Sequence, residues 1–108
     1  MDSQIDIRDI ASTLGSSYEL LPMDVSVETR DELRHIIAER ITTLLSTQPE
    51  KLMNILYRFD VSEDKIHDVF TKAFPFDIPF KVADLIIERQ QQKLLTRQQY
   101  SSGNTEHW

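Results

Sequence analysis

The apolar residues of this chain recur mostly at steps of three and four, the spacing of one face of an α-helix, and nowhere alternate long enough to build a sheet. Leu33, Ile36, Ile37, Ile41, Leu44 and Leu45 form the clearest series and predict a helix over about 29 to 46. Thr29 and Glu32 have the spacing of a capping box, which satisfies backbone donors that a first turn leaves open. Arg34, His35, Glu39 and Thr42 fall mostly outside the apolar face. Pro49 then stands where a second helix can begin, because the donor it lacks is unused in a first turn. Leu52, Met53, Ile55, Leu56 and Phe59 give that element a wide apolar surface and predict its burial. At "DVSEDK", Asp60 and Glu63 have cap spacing, Ser62 competes for the role, and early acids suit a helix's positive end. Ile66, Val69, Phe70 and Ala73 supply the packing face of a third helix.

"FPFDIPF", residues 74 to 80, interrupts that helix. Pro75 and Pro79 lack donors and restrict their predecessors, while three phenylalanines call for burial, so the expected form is an ordered linker strapped across the core. A fourth helix follows over about 80 to 98, with a polar tail over 101 to 108. Residues 1 to 27 carry Asp2, Asp6, Asp9, Glu19 and Asp24 against Arg8 alone, and read as an acidic arm. Within it, "DIRDIASTL" suits about two helical turns, with Ile7, Ile10 and Leu14 on one side and Gly15 as the stop. The expected fold is therefore all-α: a compact bundle or orthogonal array of four main helices over 28 to 100, with an acidic N-terminal arm. No internal repeat is present.

The stretch "LIIERQQQKLLTR", residues 85 to 97, bears most on function. A helical wheel places Val82, Ala83, Ile86, Ile87, Gln90 and Leu94 on one broad side and turns Leu85 and Leu95 away from its centre. Those two leucines are expected either to cover the acidic arm or to meet a second subunit. Gln90, the polar member of the inner side, is expected to be a partly exposed amide. Arg89, Lys93 and Arg97 recur every four residues and stay neighbours along the helix. Pairing with acids, including those of the arm, and a place toward the helix's negative end account for them without a ligand. Leu85, Leu95, Arg89, Lys93 and Arg97 are the candidate interaction residues.

A length of 108 residues suits one domain that buries roughly two thirds of its unfolded surface. Hydrophobic residues at 40% and charged residues at 28% fit a globular protein. A net charge of -6 disfavours diffuse attraction to nucleic acid. A helix-turn-helix fits residues 49 to 73 by geometry, but its reading helix would present Glu63, Asp64 and Asp68 to phosphate. With no cysteine there is no disulfide, thiolate metal site or thiol nucleophile. No apolar run approaches the ~20 residues of a membrane span, and "MDSQIDIRDI" lacks the basic start of a secretory signal, so a cytoplasmic chain without membrane contact is expected.

His35, His67 and His107 are too scattered for a zinc set, and "DVSEDK" lacks the glycine turn of an EF-hand. Gly15 and Gly103 alone cannot make a phosphate-binding loop. No catalytic residue, cofactor or metal is expected. The function read from these residues is noncatalytic protein association, with a homodimer as the most economical partner. The alternatives are a nucleic-acid-binding regulator, or an enzyme using an unrecognised histidine or carboxylate such as Asp60, Glu63, Asp64 or Glu88.

Two segments carry a resemblance. Leu56, Tyr57, Arg58, Asp60, Val61, Glu63 and Lys65, then Leu85, Ile86, Ile87, Glu88, Arg89, Gln90, Gln92 and Lys93, resemble a family of small bacterial helical proteins with no assigned activity. The likeness spans roughly residues 30 to 100 and carries no catalytic assignment. "FPFDIPF" departs from that family's more polar, alanine-containing approach to the last helix. Within the first segment, Tyr57 is expected to pack its ring while Arg58 fixes Asp60 or Glu88.

Overall fold

The computed structural model describes residues 6–18, 20–21 and 26–103, and the regular structure among them is entirely helical. Among the described residues there are five α-helices: four main ones, as expected, and a further one in the first segment, where only about two turns were expected. The additional one, α1 (Ile7–Tyr18), runs through Gly15, where the sequence suggests a stop. A mid-helix glycine costs about 1 kcal/mol relative to alanine. Burying Ile10 and Leu14 completely, at about 1.5–3 kcal/mol for each side chain, outweighs that cost. Leu20, Leu21 and Val27 are buried as well, so the first segment contributes to the core rather than trailing from it.

Helix α2 (Arg30–Thr47) begins as the spacing predicts. Thr29 Oγ1 accepts from the Glu32 backbone N–H at 3.1 Å, and a Glu32 carboxylate oxygen accepts from the Thr29 N–H at 3.3 Å. Leu33, Ile37, Ile41 and Leu44 are fully buried, with Ile36 and Leu45 half-buried beside them. Thr29→Ala is expected to cost about 0.5–2 kcal/mol in urea unfolding, with Thr29→Ser close to neutral. Equal losses for the two would show that the hydroxyl is not what matters.

Gln48 donates to the Leu44 carbonyl at 2.8 Å and closes α2, and Pro49 opens α3 (Pro49–Phe59). Leu52, Ile55, Leu56 and Phe59 are buried. Met53 and Tyr57, one turn apart, face outward instead, so the expected burial covers only part of this helix. Asp60 then adopts the left-handed conformation, φ 62° and ψ 39°. Its N–H donates to the Tyr57 carbonyl and the Val61 N–H to the Leu56 carbonyl, while Val61 and Leu56 are both buried. That is the Schellman arrangement, and aspartate is among the few non-glycine residues that tolerate it. Asp60 is thus spent on ending α3. The competing residue Ser62 caps α4 (Glu63–Lys72), accepting from the Lys65 N–H at 3.4 Å.

Helix α4 buries Ile66 and half-buries Val69, while Phe70 lies near the surface. It ends at Ala73, already extended at φ -82°, ψ 152°, and Phe74, which precedes Pro75, continues extended at φ -66°, ψ 148°. A 3-10 turn, Pro75–Asp77, leads directly into α5 (Ile78–Gly103). Pro79, in the first turn of α5, removes a donor that turn does not use. This helix begins two residues earlier than expected and its backbone continues to Gly103, past the start of the expected polar tail. Its 26 residues span roughly 39 Å at 1.5 Å per residue, most of the 48 Å length of the molecule.

The broadest pairing in the fold is α2 against α5, and α5 also meets α1, α3 and α4. Arg30 lies 4.0 Å from Glu88 and Arg34 lies 2.9 Å from Asp84. A step of four forward along α2 is matched by four backward along α5, so the two helices run antiparallel. Val82, Ala83, Ile86 and Ile87 fill the seam between them and the other helices.

Candidate functional site

Among the described residues, two regions outside the apolar core bring charged or aromatic side chains together. The first lies where α5 crosses the end of α3. Four-residue spacing places Arg89, Lys93 and Arg97 along one line of α5, and the Schellman turn sets Asp60 opposite the first of them. Arg89 Nη2 donates to Asp60 Oδ2 at 3.0 Å and Nη1 donates to Gln92 Oε1 at 3.3 Å. One turn on, the Lys93 ammonium stands 5.8 Å from the centre of the buried Phe59 ring. Both cations therefore sit at the C-terminal, electronegative end of α3, where each has an attractive partner. Burial holds Lys93 below the ordinary lysine value, the neighbouring Arg89 charge lowers it further, and Asp60 partly opposes both, with Arg97 a smaller lowering influence.

This geometry corrects one expected role and reassigns two acids. Tyr57 is 80% exposed and does not pack its ring. Asp60 is taken by Arg89 and Glu88 by Arg30, neither by Arg58. The pairing of Arg89 is with an acid of the α3–α4 turn, while Asp2, Glu19 and Asp24 of the first segment lie outside the described residues. Leu85 is half-buried and packs on the core, facing Val61 across a cleft of about 200 Å³ whose rim carries Ser62, Lys65 and the Arg89–Asp60 pair. Leu95 is half-buried and Arg97 is exposed. Gln90 is only 2% exposed, not the partly exposed amide expected from its polarity, because it lies between the buried faces of Ile86, Ile87 and Leu94 on the inner side of α5.

The second region is the junction of α4 and α5. Phe74 and Phe76 are 69% and 74% exposed, overturning the expectation that this linker buries its aromatics. Their rings stack on each other, with centroids 6.1 Å apart and planes 18° from parallel. The prolines explain the failure: the extended residue ahead of Pro75 and the tight turn after it point both rings away from the helices. The third phenylalanine, Phe80, is half-buried on α5. The Arg34 guanidinium lies 5.0 Å from its centroid and His35 meets it edge-on at 5.3 Å. Arg34, gripped by both Asp84 and Phe80, joins α2 to α5. The sequence signal for this clasp is the i, i+4 spacing of Phe80 and Asp84, visible only once the two helices are known to be antiparallel.

Among the described residues no group of three or more histidines and carboxylates is placed to hold a metal ion. No helix among them is long and apolar enough to cross a membrane. Helix order, packing and these two regions define the class as an all-α protein with a single helical core. No protein family, curated protein or solved structure matches the chain.

Proposed function

We propose that this chain is a noncatalytic helical protein that works by associating with a second copy of itself. The observation that carries this reading is the exposed, mutually stacked pair Phe74 and Phe76, in a fold whose other large apolar side chains mostly enter one core. Two adjacent rings held in water by a proline-stiffened turn are costly to solvate, and covering them supplies a driving force for association. The engagement of Arg89 with Asp60 and of Lys93 with Phe59 gives those cations a purpose inside the chain and favours protein association over phosphate binding. Light scattering on the full chain across a wide concentration series is expected to show a mass rising from one copy toward two. One-copy mass at every concentration would remove this function.

A further inference from the structure

Resting on the self-association reading, we propose that two copies meet face to face through the α4–α5 junction, with the Phe74–Phe76 stack of each copy covering that of the other and Asp77 pairing with the other copy's Lys81.

Charge favours a second copy as the occupant. Copies of a chain with a net charge of -6 repel one another, and they approach at least cost where the local charge is balanced. The junction has that balance. Asp68 pairs with Lys72 at 3.4 Å on its α4 side, and Asp77 and Lys81 follow the aromatic turn. Among the described residues neither Asp77 nor Lys81 has an ion-pair partner within the chain. A twofold contact must be self-complementary, since each surface element meets its counterpart from the same patch. One unpaired acid and one unpaired base, a helical turn apart and beside an apolar stack, meet that requirement: the pair is made twice, once on each side of the axis. A strongly basic or acidic partner would leave one of the two charges opposed.

Area sets the strength. An aromatic side chain offers on the order of 150–250 Å², so two largely exposed rings and the edge of Phe70 bring roughly 300–400 Å² per copy. That is about half of the ~800 Å² per partner of a standard stable interface. The contact is therefore an exchanging one, forming and separating with concentration, not an obligate dimer.

The test is sedimentation equilibrium of the full chain and four variants, each checked for unchanged helical circular dichroism. Phe74→Ser with Phe76→Ser is expected to weaken dimerisation by roughly tenfold or more, which is about 1.4 kcal/mol. Lys81→Asp alone is expected to weaken it too, by setting two acids against each other. Asp77→Lys combined with Lys81→Asp reverses the pair without removing it, and is expected to restore dimerisation to near the original level. Leu95→Asp should leave it unchanged. If the double serine variant dimerises like the original chain, or if Leu95→Asp abolishes dimerisation while the serine variant keeps it, this face is wrong and self-association stands. Failure of the charge reversal to restore what Lys81→Asp loses overturns the Asp77–Lys81 pairing. An original chain that stays a single copy throughout overturns both this inference and the function it rests on.

Discussion

Phe59→Ala should lower folding stability by about 3–5 kcal/mol, whereas Tyr57→Ala, two residues earlier on the same helix, should change it by no more than about 0.5 kcal/mol. The two aromatics differ in where α3 turns them. Phe59 is fully buried at the helix end, so its removal opens a cavity that the surrounding leucines and isoleucines cannot fill. It also deprives the Lys93 ammonium of the ring it stands over, which adds a smaller loss. Tyr57 points into water, and its truncation gives up little buried area. Urea unfolding of the two variants, read by circular dichroism, measures the difference. Comparable losses at the two positions would mean that α3 is rotated relative to the core.

Leu14→Asp is the second large effect. Its side chain is completely buried in the apolar core cluster, so the substitution removes a buried leucine and places a carboxylate among apolar side chains. The loss of core packing alone corresponds to about 2–5 kcal/mol. Because α1 is the first described element and packs on α2 and α5, the cheapest response is for α1 to leave while the other helices persist. The expected signature is a partial fall in helical circular dichroism, matching the loss of 12 helical residues, together with new proteolysis within residues 6–18. Undiminished helicity and unchanged protease resistance would show that the first segment is a loosely attached arm after all, as its acidic, serine-rich composition suggests.

Much of the helical order is legible in the sequence because it depends on local chemistry. The Thr29–Glu32 box and Pro49 at a helix start act over three or four residues, and the buried series of α2 follows directly from its spacing. Tertiary facts are what the pattern leaves open. Gly15 reads as a stop because its propensity is visible and the burial of Ile10 and Leu14 in the core is not. Asp60 and Ser62 both read as caps, and the choice between them turns on the left-handed backbone at Asp60, which ends one helix before the next begins. Gln90 looks like a surface residue until the seam around Ile86 and Ile87 is assembled.

The misreading at Phe74 and Phe76 has a different source. Hydrophobicity argues for burial, but the restriction that Pro75 imposes on its neighbour sets the direction of the chain first. The candidate site was accordingly half visible: the row Arg89, Lys93 and Arg97 is plain in the sequence, yet its partners Asp60 and Phe59 lie about thirty residues away. The exposed aromatic turn could be seen as a motif but not as a surface.

The most direct measurement is a concentration series of heteronuclear NMR spectra on the isotopically labelled full chain. Shift changes on concentrating the sample should gather at residues 70–81, with Phe74, Phe76, Asp77 and Lys81 moving most, while Phe59, Asp60, Arg89 and Lys93 stay in place because their contacts are made within one copy. Changes centred on residues 85–97, or spectra that do not depend on concentration at all, would contradict self-association through the aromatic turn.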